Sequence, residues 1–308
     1  MRVLFMGTPD FAVPCLKTLI ENNYDVCGAV TQPDKPKGRG HKMTPPPVKV
    51  CAEENNIPVY QPESLKCMAL LPVLENLQPD IIIVVAYGKI LPEYILNFPK
   101  YGCVNVHASL LPKYRGAAPI QWSVIDGEDK TGVTTMYMEK GLDTGDMIYK
   151  LETEIGKEET YGELHDRLSV MGAEVLAKTV EAIADGTAPR EKQNDELSNY
   201  APMISKETGH IDWQKSAIEV LNLIRGMNPY PMSYTQYGDE TLKIIHAYYG
   251  GDTKLEAGSI TVKPTCIEVA CGDGSYICVD EIQFKGGKRM SVSSYLNGHT
   301  LDESVKLR

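Results

Sequence analysis

The run G-C-V-N-V-H-A-S-L-L-P-K-Y-R-G-A-A-P-I-Q, residues 102–121, decides the fold. C-V-N-V-H at 103–107 is a short apolar run of strand length, and S-L-L-P followed by Y-R-G punctuates a loop at its end. Alternation sends Val104 and Val106 to one face of that strand and Asn105 and His107 together to the other. Working outward, R-V-L-F-M, V-C-G-A-V and I-I-I-V-V-A are runs of the same kind, separated by helix-like stretches at 10–22 and 68–77. This alternation predicts an α/β fold with a doubly wound, mostly parallel, Rossmann-like sheet. G-L-D-T-G-D at 141–146 leads into a strand, D-M-I-Y-K-L-E, and an amphipathic helix over about 160–184 that Gly186 is placed to end. Around 191–209 the chain turns polar and loses periodicity. After a helix at 216–225, the alternating runs L-K-I-I-H-A-Y, S-I-T-V-K, C-I-E-V-A and Y-I-C-V-D-E-I-Q-F predict a small β-barrel. The expected domains are 1–189, a linker at 190–208, and 209–308.

Composition narrows the classes. A chain of 308 residues with net charge −10 has room for two buried cores. The best apolar run, at 81–86, has the length of a strand and cannot span a bilayer. Met1 leads within one residue into V-L-F-M-G, which leaves no room for a signal peptide and points to a bacterial cytoplasm. The eight cysteines are scattered without zinc spacing and read as buried thiols in a reducing compartment, so no metal is expected. NAD is also excluded. G-T-P-D-F at 7–11 lacks two glycines of the dinucleotide fingerprint, and Pro9 has no N–H to offer a pyrophosphate. That segment reads as a strand-to-helix turn with Thr8 or Asp10 near the helix N-terminus.

A carboxamide donor beside a group that titrates near neutral pH suits a reaction in which a carbonyl oxygen becomes negative and a proton moves. Acyl transfer is the natural reading. Each residue also has a plainer one: His107 as a hydrogen-bonded structural histidine, and Asp143 as the cap of its own glycine-flanked turn. No serine or cysteine sits in a nucleophile elbow, so no covalent intermediate is demanded. Lys35, Lys37, Arg39 and Lys42 place four positive charges, with no acid between Lys35 and Lys42, on a glycine- and proline-rich stretch that reads as a flexible basic loop. It is either a solvated loop or a local docking point for a polyanion, which a chain of this net charge must meet locally.

F-M-G-T-P-D-F-A-V-P at 5–14, Q-P-D-K-P-K-G-R-G at 32–40, the run at 102–121, G-L-D-T-G-D and R-G-M-N-P-Y-P at 225–231 make the chain resemble, end to end, the folate-dependent formyltransferases. N-x-H-x-S-L-L-P with D-T-G-D is shared by members acting on different amines, so it implies the reaction and leaves the acceptor open. The resemblance implies Asn105, His107 and Asp143 as catalytic residues, 10-formyltetrahydrofolate as formyl donor, and direct amine attack through a tetrahedral intermediate. It points to Ala86, Tyr87, Gly88, Lys89, Ile90 and Leu91, with Ser109, Leu110, Leu111 and Pro112, for the folate; core packing is the other reading of the apolar ones. It places the loop after the first strand near the acceptor amine, gives the C-terminal barrel an OB-like fold that binds tRNA, and suggests a monomer. Members that carry the basic loop present it to the acceptor end of initiator tRNA, which makes methionyl initiator tRNA the expected partner through Lys35, Lys37, Arg39 and Lys42.

Arg115 is open between folate glutamate, RNA phosphate and plain solvation, and Lys285, Lys288 and Arg289 form a weaker basic cluster. From Gly209 onward, ten Lys and Arg stand against twelve Asp and Glu, so most of the acidic excess lies earlier. Two rivals remain: a formyltransferase for an amino sugar nucleotide or glycinamide ribonucleotide, which needs neither the basic loop nor the barrel, and a non-catalytic folate- or RNA-binding protein, which has no use for an intact N-x-H with its aspartate.

Overall fold

The short apolar runs of the first two-thirds pair as neighbouring strands of one sheet in the computed structural model, which describes residues 1–37 and 42–308. In chain order the elements up to residue 202 are β1 (Arg2–Gly7), α1 (Val13–Glu21), β2 (Asp25–Val30), β3 (Lys35–Lys37), β4 (Lys42–Thr44), α2 (Pro47–Glu54), β5 (Val59–Tyr60), α3 (Leu71–Leu77) and β6 (Ile81–Val85). They continue with α4 (Glu93–Leu96), β7 (Cys103–His107), β8 (Arg115–Gly116), α5 (Pro119–Ile125), β9 (Lys130–Tyr137), β10 (Met147–Glu154), α6 (Tyr161–Ala184) and β11 (Tyr200–Ala201). The chain divides into two units, residues 1–119, 130–153 and 165–202, and residues 120–129, 154–164 and 203–308.

The sheet of the first unit has the order β10-β9-β7-β6-β1-β2-β5, with β5, β2, β1, β6 and β7 parallel and β9 antiparallel to β7. All five residues of β6 are buried, as a strand covered on both faces requires. Each such Ile or Val contributes about 1.5–3 kcal/mol of burial free energy. The chain steps from β1 outward to β2 and then returns to the other side of β1 as β6, so strand order reverses between β1 and β6. In open α/β sheets such a reversal is where ligands bind, beyond the strand C-termini.

Leu4, Met6, Ile82, Val84 and Cys103 share one face and pack with Leu74 and Leu77 of α3 and Ile95 of α4. Asn105 and His107 have the parity of Cys103 and continue that face to the end of β7. On the opposite face Val104 and Val106 are buried, and α6 comes so near that a Cβ at its Gly172 would lie 3.2 Å from Val106. One face of β7 is therefore packed along its length, while the other packs at Cys103 and carries polar side chains at Asn105 and His107.

Two elements depart from the sequence reading. K-T-G-V-T-T-M-Y forms β9, which the search for apolar runs passes over because three of its buried residues are threonines. Two of the three hydroxyls are answered inside: Thr134 donates to the Ser109 carbonyl at 2.7 Å, and Thr135 and Thr179 lie 2.7 Å apart. The basic stretch, expected as a flexible loop, contains a two-stranded ribbon in which Lys35 faces Thr44 and Lys37 faces Lys42. Lys49 holds its base through Asp34 at 3.0 Å, and hydrogen bonds from Gln61 and then Lys49 hold the Asp34 carboxyl below the usual carboxylate range. Arg39 lies outside the described residues.

Gly132 in β9 has no room for a side chain, since a Cβ there would overlap the Leu151 carbonyl oxygen and press on Leu110 at 2.6 Å. Gly132→Ala is expected to cost about 1–3 kcal/mol through overpacking, lowering Tm by about 2–4 °C per kcal/mol. An unchanged melting curve would contradict this packing.

The second unit contains α7 (Ala217–Gly226), β12 (Ser233–Tyr237), β13 (Glu240–Asp252), β14 (Ile260–Val262), β15 (Ile267–Ala270), β16 (Ser275–Phe284), β17 (Met290–Ser291) and α8 (Val292–Leu296). Ser216 caps α7 in a capping box with Glu219. Val220 and Ile224 of that helix pack on Ile244, Ile277, Val279 and Ile282 of an antiparallel sheet ordered β12-β13-β16-β15-β14, with β17 on β16. Arg225 donates to the Gly156 carbonyl at 3.1 Å and, at longer range, to those of Glu159 and Val124, which ties segments 120–129 and 154–164 to this unit.

Candidate active site

Loops after β1, β2, β6 and β7 lie at the C-terminal edge of the parallel strands. Thr8 after β1 donates to the Tyr87 carbonyl at 3.2 Å, and Gln32 after β2 donates to the same oxygen at 3.0 Å. The loop after β6 turns through positive φ at Ala86 and Gly88, where a glycine is suited to +81°. The loop after β7 is pinned by Thr134, whose hydroxyl accepts from Leu111 N at 3.1 Å as well as donating to Ser109. Ser109 turns its own hydroxyl onto the Lys113 carbonyl at 2.6 Å.

Asn105 is half-buried, and among the described residues its carboxamide has no hydrogen-bond partner. His107 is 6% exposed. Its Nε2 lies 2.9 Å from the Tyr114 carbonyl, to which it donates, and its Nδ1 lies 3.7 Å from Asp143 Oδ2. Both neighbours are acceptors toward which a ring N–H can point. With Nε2 committed to backbone, Nδ1 is the nitrogen left for exchange with a reacting group.

Asp143 does not cap its own turn. It sits at φ +51°, and its Oδ2 accepts from Gly116 N, across 27 residues of sequence, at 2.9 Å. A Cβ at Gly145 would overlap the Tyr137 carbonyl oxygen, so D-T-G needs its glycine to bring the aspartate in. The arrangement has an amide donor with no partner among the described residues, an imidazole whose Nε2 is bonded to backbone, and a carboxylate 3.7 Å from its Nδ1. It can stabilise negative charge on an oxygen and move a proton.

The ten folate candidates divide. Tyr87, Leu91 and Leu111 are buried among core side chains, as ordinary packing reads them, and Ser109 is buried too. Ala86, Gly88 and Ile90 are exposed on the loop after β6, Ile90 at 82%. Leu110 and Pro112 are partly exposed, and Lys89 donates to the carbonyls of Glu63 at 2.7 Å and Pro62 at 3.3 Å. The Tyr87 hydroxyl is buried with no hydrogen-bond partner among the described residues, and burial pushes it up to about 12. An exposed apolar side chain beside a glycine-turned backbone and an orphaned hydroxyl fit a flat heteroaromatic ligand with a polar edge.

Arg115 is not a solvated loop arginine. Its side chain is 12% exposed and reaches Gln193 and Asp195, the latter at 2.7 Å. Sequence reasoning missed Gln193, and Asn199, whose Oδ1 accepts from Tyr114 N at 2.5 Å; both lie in the aperiodic segment and carry no periodic signal. Lys35, at the base of the ribbon, and Lys42, opposite Lys37, are exposed. In the C-terminal cluster Arg289 is answered by Glu281 at 2.5 and 2.6 Å, leaving Lys285 and Lys288. All eight cysteines are free; Cys67 is exposed and the others buried, with burial pushing Cys15 and Cys103 up to about 12. Among the described residues no group of three potential ligands is placed to hold a metal ion, and no helix is long and apolar enough to cross a membrane.

Residues 1–180 match the sequence model described as Formyl transferase, and residues 203–300 match that of the Formyl transferase C-terminal domain. The chain is 51% identical over 309 aligned positions, covering 100% of both chains, to a protein of Clostridioides difficile (strain 630) named Methionyl-tRNA formyltransferase. It is 52% identical over 305, covering 98% of each, to one of the same name from Alkaliphilus oremlandii (strain OhILAs). Among solved structures it is similar in fold, at TM-score 0.69 and 21% identity over 90% of this chain and 98% of the other, to an N-formyltransferase from Helicobacter canadensis in complex with folinic acid and dTDP-3-aminofucose.

Proposed function

The chain belongs to the formyl transferase family, and from that membership we propose that it transfers the formyl group of 10-formyltetrahydrofolate to the amino group of methionyl initiator tRNA. The observation that carries the chemistry is the Asn105 amide, unpartnered among the described residues, beside His107, whose Nδ1 faces Asp143 at 3.7 Å. The acceptor rests on end-to-end identity near one half with relatives named for it and on the exposed ribbon of Lys35 and Lys42.

The amine nitrogen attacks the formyl carbon, and the carbonyl π electrons move onto the formyl oxygen. Asn105 donates its amide N–H to that oxygen, where a donor strengthens as charge grows. His107 supplies Nδ1–H to the same oxygen or to the departing nitrogen of the folate. Asp143 orients the imidazole and takes up the proton that the attacking amine must lose, through water. The carbon–nitrogen bond to the folate then breaks, releasing tetrahydrofolate and the N-formylated methionyl-tRNA. We assign this chemistry to the domain expected at 1–189, and binding of the tRNA body to the antiparallel domain expected at 209–308.

Supplying 10-formyltetrahydrofolate with charged initiator methionyl-tRNA, and separately with an amino sugar nucleotide or glycinamide ribonucleotide, tests this. Formylation of the tRNA alone is expected; product from a small amine alone would overturn it. Neutralising Lys35, Lys37, Arg39 and Lys42 together is expected to raise the KM for tRNA with little change in kcat. It should also flatten the slope of log kcat/KM against log salt by about three, at roughly 0.7–0.9 for each phosphate that is no longer neutralised. Wild-type tRNA kinetics in that variant would remove the ribbon from the account.

A further inference from the structure

We propose that Gln193 and Asn199, in the segment between the two expected domains, are positioning residues for the reaction: Gln193 holds the turn that carries Asp143, and Asn199 holds the carbonyl that orients His107. The proposal rests on the reading of Asn105, His107 and Asp143 as the catalytic group.

Gln193 donates from Nε2 to two carbonyls of the D-T-G turn, Asp143 O at 2.7 Å and Gly145 O at 2.9 Å. Its Oε1 accepts from Arg115 Nε at 3.0 Å and Nη2 at 2.8 Å, and the same Nη2 reaches Asp195 at 2.7 Å. One amide thus grips both ends of the turn from which the Asp143 carboxylate projects, and Arg115 keeps that amide from rotating. A side-chain amide has two donor hydrogens and one acceptor oxygen, and here both kinds are used. Asp143 stands at a φ of +51°, a conformation that a non-glycine residue keeps only when its surroundings enforce it.

Asn199 acts on the other side of the imidazole. Its Oδ1 accepts from Tyr114 N at 2.5 Å, and its backbone oxygen accepts from Arg115 N at 3.1 Å. The Tyr114 carbonyl that receives His107 Nε2 at 2.9 Å belongs to the same rigid peptide plane as the Arg115 N–H. That plane is therefore clamped between the imidazole and Asn199. Tyr114 also has positive φ, at +60°. The pairing continues as β8 against β11, where Gly116 faces Ala201 so closely that a Cβ would lie 2.7 Å from the Ala201 oxygen. Gly116 N in turn donates to Asp143 Oδ2 at 2.9 Å. The two clamps thus set the separation of Nδ1 from the carboxylate and the direction of the ring.

Each clamp needs a different atom, which makes the test specific. Gln193→Glu keeps the oxygen that Arg115 binds and removes the donors to Asp143 and Gly145. Asn199→Leu removes the acceptor for Tyr114 N, and Asn199→Asp keeps it. We expect Gln193→Glu and Asn199→Leu to lose about ten- to a hundredfold in kcat, the effect of a small misplacement of catalytic groups. The KM for both substrates and the Tm should hold, the pH profile of kcat should change shape, and Asn199→Asp should recover most of the rate. Wild-type kcat in Gln193→Glu would overturn the proposal. So would equal losses in the two Asn199 variants that follow a falling Tm with the wild-type pH profile. Asp143→Asn measured alongside separates the two readings: full activity there defeats the catalytic assignment itself, whereas an inactive Asp143→Asn beside a wild-type Gln193→Glu defeats the clamps alone.

Discussion

Asn105→Ala is expected to lower kcat by about a hundred- to a thousandfold, the loss that follows removal of one oxyanion donor, with Tm near wild type. The physical reason is local. The side chain is half-buried and makes no hydrogen bond among the described residues, so its removal leaves no buried partner unsatisfied and opens little core volume. β7 is held instead by its ladders to β6 and β9 and by the packing of Val104 and Val106. Because the donor meets charge that exists only after attack, KM for both substrates should change far less than kcat. Steady-state kinetics with a melting curve on the same preparation checks this, and turnover within a few-fold of wild type, on the scale of a factor of about three where the loss expected is a hundred, would remove Asn105 from the mechanism.

Asp143→Asn is expected to be more costly, by about a thousandfold or more, as when the carboxylate behind a catalytic imidazole becomes a neutral amide. The substitution keeps size and one acceptor oxygen, so the bond from Gly116 N can survive and the D-T-G turn remains held by Gln193. The lost element is the charge 3.7 Å from His107 Nδ1. Without it the imidazolium has no counter-ion, and an amide N–H turned toward the ring offers a donor where an acceptor is needed. Kinetics across pH checks this: loss at every pH is expected, and a variant that regains wild-type kcat at some pH would show that the carboxylate only tunes a proton equilibrium.

The sheet was legible where residues speak through period and burial. β1, β2, β6 and β7 are apolar runs bounded by polar or glycine-containing turns, and the reading of 103–107 placed Asn105 and His107 on one face from alternation alone. β9 was not legible, because Thr134 and Thr135 are satisfied by hydroxyl bonds to partners far along the chain that no local pattern announces. The basic stretch revealed its charge and concealed its ribbon, since K-P-K and K-M-T carry no strand period and pair through backbone. For the proposed site, the resemblance implied Asn105, His107 and Asp143, while the residues themselves left open whether Asp143 serves its own turn; the bond to Gly116 N decides where the carboxylate goes. Arg115 was open between three outward-facing roles because its partners, Gln193 and Asp195, lie about eighty residues later.

The central claim is that the Asn105 amide and His107 act on one developing negative charge. Single-turnover formylation of methionyl initiator tRNA, with saturating 10-formyltetrahydrofolate and enzyme in excess, measures it across wild type, Asn105→Ala, His107→Asn and the double variant. Each single change is expected to slow the chemical step by about a hundredfold or more, and the double variant to be far faster than the product of the two losses would allow, because groups that act as a unit are not additive. Losses that simply multiply, or either single variant reacting at the wild-type rate, would contradict it.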